Sequence, residues 1–313
     1  MKKILNLYKP LGMTPLELVD RFRERNLKYG GKKMSYPGRL DPMAEGVLLV
    51  LVGDENKKMD NYMKLDKEYV AEILIGLSTD SLDLLGVVDD LKIANKEKKD
   101  SIRVNEYNKL KPGSRHNDKK YLDISDDVSK CASMAEWLMQ SVETRCPPGH
   151  EGSISSVGVI KELKKKIKSF KGKYKQKIPV YSSYIVKGKP LWSYARDGKL
   201  DGVEIPISNV EIKGMNVEDI YKIGAGKLLR EIKRRVGRVK GDFRQKEIVD
   251  KWKELLDGNG EKFFVVKVRV NCSSGTYIRA IARDFGLDYG GGILFNLKRT
   301  RVGKFKVKDS ERV

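Results

Sequence analysis

Residues 38–46 read G-R-L-D-P-M-A-E-G and run directly into the apolar segment 47–52, V-L-L-V-L-V. A short continuous apolar run of this kind predicts a buried strand. Asp41 lies just before it, close to a glycine and next to a proline. Its side chain is either a turn-former that accepts backbone hydrogen bonds or the reacting carboxylate of an active site. Taken alone, the stretch favours the turn-former, so the rest of the chain has to decide.

The composition predicts a globular protein that forms one domain. Its 313 residues are 40% hydrophobic and 8% aromatic, which is enough to bury a sizeable core. No apolar run approaches the roughly eighteen residues that a membrane span requires. The M-K-K start leads into a strand-like segment and not into a signal-peptide core. We therefore expect a cytoplasmic protein without a membrane partner.

The charge of the chain favours a polyanionic partner. Lysine and arginine total 64 against 43 acidic residues, a formal net charge of +21. A charge of that size attracts nucleic acid over long range, but a solvated basic surface would have the same composition. Membrane headgroups are disfavoured because the sequence has no basic amphipathic helix with an aromatic face.

The cysteines and histidines do not predict a metal site. Cys131, Cys146 and Cys272 form no C-x-x-C pair, and their odd number favours a reducing compartment. Cys131, Cys146 and His150 offer three ligands, but their spacing matches no familiar zinc pattern. Neither His116 nor His150 has a nucleophile elbow nearby, so a Ser-His or Cys-His catalyst is not supported.

The local patterns predict an α+β fold with a mixed, mostly antiparallel sheet flanked by helices. Thr14, Pro15 and Glu17 have the spacing of a helix start. A second helix is expected at 280–285. Strand patterns occur at residues 4–8, 68–76, 180–186, 208–213 and 263–270. They do not alternate regularly with helices, which disfavours a parallel β-α repeat.

Two charged stretches, at about 90–175 and 215–260, are interpreted as insertions into this domain. The first contains a predicted helix near 134–142 and ends in residues 161–177, which carry nine lysines and one glutamate. These lysines form either a solvated helix face or a phosphate-binding arm. The second is predicted to be helical over 217–256 and is basic over 227–246.

Six segments, taken together and in order along the chain, resemble the TruB family of tRNA pseudouridine synthases. Any one of them is weak, since short Gly and Asp motifs recur by chance. The two charged stretches are not covered. The matching segments are 7–14, 37–48, 67–76 with Thr79 and Asp80, 179–183 with 188–191, 194–198 and 274–279.

The resemblance implies a pseudouridine-synthase-like fold and an isomerisation of uridine within RNA. The bond from N1 to the ribose is broken, the base turns, and C5 is joined to the same C1′. No redox step, energy source, cofactor or metal is implied. The base has to leave its stack, which costs a few kcal/mol that stacking and phosphate contacts must offset.

The resemblance also implies roles for individual residues. Asp41 matches the family's essential aspartate, which acts either as a nucleophile or as a base toward the ribose. Arg279 matches the arginine that pairs with it and holds it ionised. Tyr69 matches the tyrosine that stacks on the target base and handles the C5 proton.

Substrate-binding roles are implied for a further set of residues. Tyr277 matches a second aromatic packed against the base, and Leu297 an apolar wall of the pocket. Lys9, with Pro10, is expected to support the active-site loop. The lysines of 161–177 and the basic stretch 227–246 become candidates to hold tRNA phosphates, on charge alone.

Two departures from the family pattern affect substrate binding. Tyr36 stands where the family usually has a histidine that contacts RNA. The chain also stops soon after residues 301–305, so we expect no C-terminal RNA-binding domain of the kind that many relatives carry. We accordingly predict a monomer that does not assemble into a guide-RNA particle, with the two charged insertions helping to hold tRNA.

The sequence thus predicts a tRNA pseudouridine synthase acting on the T-loop uridine, position 55 of the T-arm. An RNA-binding, tRNA-folding chaperone is the alternative from another class, and a pseudouridine synthase acting on a different RNA is the third hypothesis.

Overall fold

The computed structural model describes residues 2–89 and 156–313. The helix predicted near 134–142, both histidines, Cys131 and Cys146 lie outside the described residues, as does most of the first predicted insertion. All seven site residues named from the sequence lie within them.

A ten-stranded sheet organises the part of the chain that is described. Its main path runs β12-β1-β3-β10-β4-β9-β8-β5, while β2 pairs with β3 and β11 with β10. The β1–β12 and β3–β10 pairings are parallel and the other pairings of this sheet are antiparallel. The predicted mixed, mostly antiparallel sheet is confirmed. The strands are β1 (Ile4–Lys9), β2 (Met34–Ser35), β3 (Ala44–Val52), β4 (Lys67–Ile75), β5 (Gly172–Lys177), β8 (Ile207–Gly224), β9 (Lys262–Cys272), β10 (Gly292–Val302), β11 (Phe305–Lys306) and β12 (Glu311–Arg312), with a separate hairpin of β6 (Ile185–Val186) and β7 (Lys189–Pro190).

Helices cover both faces of this sheet. The first begins as its sequence predicts: Thr14 and Glu17 exchange both hydrogen bonds of a capping box, with Pro15 in the first turn. Within the described residues the α-helices are α1 (Pro15–Arg25), α2 (Met59–Met63), α3 (Ser156–Ser169), α4 (Leu191–Arg196), α5 (Ala225–Val236), α6 (Gln245–Leu256) and α7 (Ile278–Gly286).

Strand alternation divides the core between the two faces. Ile73 packs in a buried cluster with residues of α3 and α7, including Phe285. Its neighbour Leu74 points to the opposite face and packs with α5 and α6, including Trp252, which is fully buried. The site described below lies at the strand ends and loops beside α7.

The structure corrects two predictions of secondary structure and adds a central strand for which there was no prediction. Residues 217–224, predicted to be helical, continue β8, because their backbone pairs with β9 along Lys262–Val268. Residues 180–184 form loops, and only Ile185–Val186 of that predicted strand pairs. The strand β10 was not predicted, since residues 296–301, N-L-K-R-T-R, are mostly basic and polar and suggest an exposed segment.

The second charged stretch contributes to the core. Along α5 and α6, the side chains of Leu228, Ile232, Ile248 and Trp252 are buried, while most of the charged side chains face solvent; Arg235 is an exception, since it is buried and donates to the carbonyl oxygen of Phe295. Among the described residues no helix is both long and apolar enough to cross a membrane. The same residues contain no cluster of three or more His, Cys, Asp or Glu side chains that could hold a metal ion.

Candidate active site

A cavity of about 560 Å³ opens where the 36–41 loop, the 182–185 loop and the start of α7 meet β4 and β10. Six of the seven site residues named from the sequence line it. It is lined by Tyr36, Gly38, Arg39, Leu40, Asp41, Met63, Lys67, Tyr69, Ser182, Ser183, Tyr184, Ile185, Ser273, Gly275, Thr276, Tyr277, Ile278, Arg279, Leu297 and Arg299.

Asp41 and Arg279 form an ion pair in this cavity. Nε of Arg279 lies 2.9 Å from Oδ2 of Asp41. The side chain of Arg279 is only 6% exposed, whereas that of Asp41 is 45% exposed. The guanidinium is therefore held inside the protein, and the carboxylate that it orients remains accessible to a ligand.

The Arg279 guanidinium is fixed from every side. Nη1 donates to the carbonyl oxygen of Ser81 at 2.6 Å, and Nη2 donates to that of Tyr181 at 3.0 Å. The buried carboxylate of Asp83 lies 3.8 Å from Nε. Burial alone would lower the pKa of Arg279, but the charges of Asp41 and Asp83 outweigh it and raise that pKa.

Asp83 supports Arg279 without facing the cavity. Its Oδ1 accepts hydrogen bonds from the Ser81 hydroxyl at 2.7 Å and from the Leu85 amide at 2.9 Å. Burial raises the pKa of Asp83, while the nearby Arg279 acts in the opposite direction. A guanidinium with a carboxylate on each side can stay charged and keep one geometry when the exposed partner changes its contacts.

Arg299 fixes the loop that presents Asp41. Its side chain is 2% exposed and donates to the carbonyl oxygens of Val47 at 2.8 Å, Arg39 at 3.1 Å and Gly38 at 3.2 Å. The β3–β10 backbones also approach closely at Gly46, where an added Cβ would lie 2.2 Å from the carbonyl oxygen of Arg299. The loop is thus tied to a central strand of the sheet.

Lys9 lies behind the same loop and does not line the cavity. It is fully buried, and its Nζ donates to the carbonyl oxygens of Pro10 at 3.0 Å and Met13 at 2.6 Å. The turn that it holds places the Gly12 amide 2.8 Å from the carbonyl oxygen of Pro42. Burial lowers the pKa of Lys9 to about 7, although the charge of Asp41 opposes the shift.

Two tyrosines form the aromatic part of the cavity wall. Tyr69 on β4 is 7% exposed, and burial raises the pKa of its phenol, which the neighbouring charge of Arg299 opposes. Tyr277 precedes α7, and burial raises the pKa of its phenol as well. The side chain of the fully buried Gln176 pairs with the Tyr277 backbone, accepting from its N–H at 2.7 Å and donating to its carbonyl oxygen at 3.0 Å. Both phenols remain neutral, apolar-faced surfaces at ordinary pH.

The remaining predicted residues lie at the edge of the same space. Leu297 is 7% exposed and supplies an apolar wall. Tyr36 lines the cavity and also packs against the core cluster beneath α1. At the opening, Nη1 of Arg39 donates to the Ser183 hydroxyl at 3.0 Å and so joins two loops that are far apart in sequence.

Sequence reasoning missed three residues that shape the site: Asp83, Arg299 and Gln176. Arg299 follows Leu297 by two residues, so a strand assignment for β10 would have placed both side chains on one face. Asp83 follows Thr79 and Asp80, which belong to one of the matching segments. Its burial beside Arg279 depends on a contact between residues 196 positions apart in sequence. Gln176 sits among lysines, and nothing local distinguishes it.

Comparison with known proteins gives a family match. The model described as "TruB family pseudouridylate synthase (N terminal domain)" matches residues 25–111 and 151–226, more than half of the chain. The matched residues include Asp41 and Tyr69, while Tyr277, Arg279 and Leu297 lie outside them.

Curated relatives match over nearly the whole chain. A protein named tRNA pseudouridine synthase B from Chloroherpeton thalassium is 26% identical over 99% of this chain and 87% of its own length. One of the same name from Parabacteroides distasonis is 27% identical over 96% and 86%. One from Caldanaerobacter subterraneus subsp. tengcongensis is 29% identical over 98% and 71%.

Comparison with solved structures gives a match to a chain described as "Crystal Structure of a Cbf5-Nop10-Gar1 Complex". The aligned chain has 17% sequence identity and a TM-score of 0.48. The alignment covers 99% of the present chain and 52% of that one, so the present chain spans about half the length of the solved chain.

Proposed function

Because the chain belongs to the TruB family of pseudouridylate synthases, we propose that it converts a uridine of tRNA into pseudouridine, acting on the T-loop uridine at position 55. The relatives named tRNA pseudouridine synthase B support tRNA as the substrate. The observation that carries the proposal is the accessible Asp41 carboxylate held by buried Arg279 in a cavity walled by Tyr69 and Tyr277.

Asp41 is the proposed reacting group. An accessible carboxylate that a buried guanidinium orients can attack C1′ of the ribose or remove a ribose proton, and both routes start from this geometry. In either route the N1–C1′ bond breaks and the C5–C1′ bond forms. The C5 proton is lost and N1 carries a proton in the product, so the reaction is an isomerisation with no net change of atoms.

The aromatic wall is proposed to hold the base once it has left its stack. Tyr69 and Tyr277 offer flat apolar surfaces for stacking, and Leu297 closes the space beside them. The phenol of Tyr69 is the candidate to handle the C5 proton. Tyr36 and Arg39, at the opening, are placed to contact the RNA that flanks the flipped nucleotide.

The exposed basic residues of α5 are proposed to bind tRNA phosphates. On α5, Lys227, Arg230, Lys233 and Arg234 are exposed. The end of this helix adjoins the active-site turn, because an added Cβ at Gly12 would lie 2.8 Å from the carbonyl oxygen of Arg238. Most of the lysines of 161–177 lie on α3 or on β5.

The test is the formation of pseudouridine in an unmodified tRNA transcript incubated with the purified protein alone. Wild-type protein is expected to modify position 55 and to leave a transcript with cytidine at that position unmodified. Asp41→Asn is expected to abolish turnover while tRNA binding is retained. Asp54→Asn, which removes an exposed carboxylate paired with Lys57 away from the cavity, is the matched control and is expected to match wild type.

The assay also separates the competing functions. No pseudouridine in any transcript would reject the enzyme, and unchanged turnover in Asp41→Asn would reject its reacting group. Faster tRNA folding that survives Asp41→Asn would support the chaperone, and pseudouridine found only in other cellular RNAs would change the substrate. Activity of the protein without a guide RNA, and its size in solution, test the predicted independent monomer.

A further inference from the structure

The connection between α5 and α6 carries a further arginine, Arg244, which lies outside the set of residues that line the cavity. Arg244 precedes α6 with a left-handed backbone, at φ 61° and ψ 29°. One of its terminal nitrogens lies 2.8 Å from Oδ2 of Asp80, and its guanidinium carbon lies 5.0 Å from the centre of the Tyr181 ring. Arg244 thus contacts two loops that are far apart in sequence.

These two loops are the ones that hold Arg279. The carbonyl oxygen of Ser81, the residue after Asp80, accepts from Nη1 of Arg279, and the carbonyl oxygen of Tyr181 accepts from Nη2. Arg244 therefore contacts a side chain beside each of the two carbonyl groups that orient Arg279. Displacing either loop would turn the guanidinium that faces Asp41.

Further hydrogen bonds hold both Asp80 and the turn that carries Arg244 in place. Oδ1 of Asp80 accepts from the Val87 amide at 3.0 Å, which leaves Oδ2 to face Arg244. The Gln245 side chain donates to the carbonyl oxygens of Val239 at 3.0 Å and Gly241 at 2.7 Å, which fixes the turn before α6. The Arg244 and Asp80 side chains are 27% and 29% exposed, so their attraction is less screened than that of a fully exposed pair.

We propose that Arg244 is a positioning residue, which clamps the 80–81 and 181 backbone segments and so holds Arg279 in the orientation that presents Asp41. This inference rests on the proposed function for its effect on turnover. Arg244 lies outside the residues matched by the family model, in a stretch that the sequence resemblance does not cover. The rival role is an ordinary phosphate contact of an arginine near an RNA site.

Turnover and binding separate these two roles. Arg244→Ala is expected to lower kcat on tRNA by about 10-fold to 100-fold with KM within twofold of wild type, because a small misorientation of a catalytic group has effects of this size. Arg244→Lys keeps the charge opposite Asp80 but lacks the planar group over Tyr181. Its kcat is expected to lie between those of Arg244→Ala and wild type. Lys253→Ala, which removes an exposed charge from the same helix, is the control and is expected to match wild type. A kcat within twofold of wild type, or a change confined to KM, would overturn the inference.

A measurement on the free protein tests the clamp independently of activity. In Arg244→Ala the amides of Val87, bound to Asp80, and of Trp192, bound to the carbonyl of Ser182, are expected to exchange with deuterium about tenfold faster. Lys253→Ala is expected to leave both rates unchanged. Unchanged rates in Arg244→Ala would overturn the clamp even in an active enzyme. An inactive wild-type protein would reject the proposed function and leave the exchange result to decide the clamp.

Discussion

Arg279 Nε lies 2.9 Å from Asp41 Oδ2 and 3.8 Å from Asp83 Oδ2, so one buried guanidinium serves an exposed carboxylate and a buried one. The two pairs have different consequences. The pair with Asp83 is closed to solvent, and removing Arg279 would leave the buried Asp83 carboxylate without its cationic partner. The pair with Asp41 faces the cavity, where it affects reactivity more than folding.

Arg279→Met is therefore expected to affect both stability and activity. Breaking a buried ion pair by removing one partner typically costs about 3–5 kcal/mol of stability. The loss of the contact with Asp41 is expected to reduce turnover below the detection limit of the tRNA assay. Urea unfolding and the tRNA assay measure the two effects. Arg283→Met, one turn later on α7, serves as the control, and a free energy of unfolding equal in the two variants would contradict the structural role of Arg279.

The Asp41 loop depends on the close approach of β3 and β10. Gly46 has φ 114°, and an added Cβ would lie 2.2 Å from the carbonyl oxygen of Arg299, the residue whose side chain holds the loop. Gly46→Ala is expected to cost more than about 3 kcal/mol, since it combines backbone strain with displacement of a central strand. Gly53, at φ 62° with open space around its Cβ position, is the matched control.

Gly53→Ala is expected to cost only about 1 kcal/mol, the strain of the left-handed conformation alone. Urea unfolding of the two variants gives the comparison. Equal losses in stability would show that the β3–β10 contact at Gly46 contributes nothing beyond backbone conformation.

Local signals in the sequence were sufficient for much of this architecture. The capping box of Thr14 and Glu17, the apolar run of β3 and the alternation in β4 each formed as predicted, because neighbouring residues determine them. The pairing of Arg279 with Asp41 came from motif resemblance and is present in the structure. No local pattern in the sequence indicates that these two distant residues meet in the folded protein.

Two of the differences between prediction and structure share one physical cause: tertiary contacts override the preference that the local composition suggests. Residues 217–224 form a strand because β9 offers a pairing edge, although their charges suggested a helix. The basic side chains of β10 suggested an exposed segment, but β10 is a central strand. Arg299 can be buried there because carbonyl groups of residues 38–47 accept its hydrogen bonds. The contacts of Arg244 with Asp80 and Tyr181 depend on the packing of α5 and α6 against the sheet, which no local pattern around Arg244 indicates.

Buried Lys9 predicts a specific dependence of stability on pH. Burial lowers its pKa to about 7 in the folded protein, from an ordinary value of 10.5. Between these values the unfolded chain binds more protons than the folded one, so the free energy of unfolding rises with pH across this window. One such group contributes a slope of at most about 1.4 kcal/mol per pH unit.

Lys9→Met keeps the apolar stem and removes the titrating group. The variant is expected to show a smaller increase in unfolding free energy between pH 7 and pH 9 than wild type, as measured by urea unfolding at several pH values. Lys3→Met, which replaces an exposed lysine immediately before β1, is the control. Parallel pH profiles for wild type and Lys9→Met would show that Lys9 keeps its ordinary pKa.

The exposed cations of α5 predict a salt-dependent contribution to tRNA affinity. Each phosphate contact that is lost should reduce the slope of log K against log salt concentration by about 0.7–0.9. Lys227→Gln and Arg230→Gln remove exposed charges on this helix, and we expect each to weaken binding and flatten the slope without changing kcat at saturating tRNA. Lys253→Gln on α6 is the control, and binding by filter retention at several salt concentrations is the measurement. Slopes equal to that of wild type would exclude α5 from the tRNA-binding surface and leave the lysines of 161–177 as the next candidate.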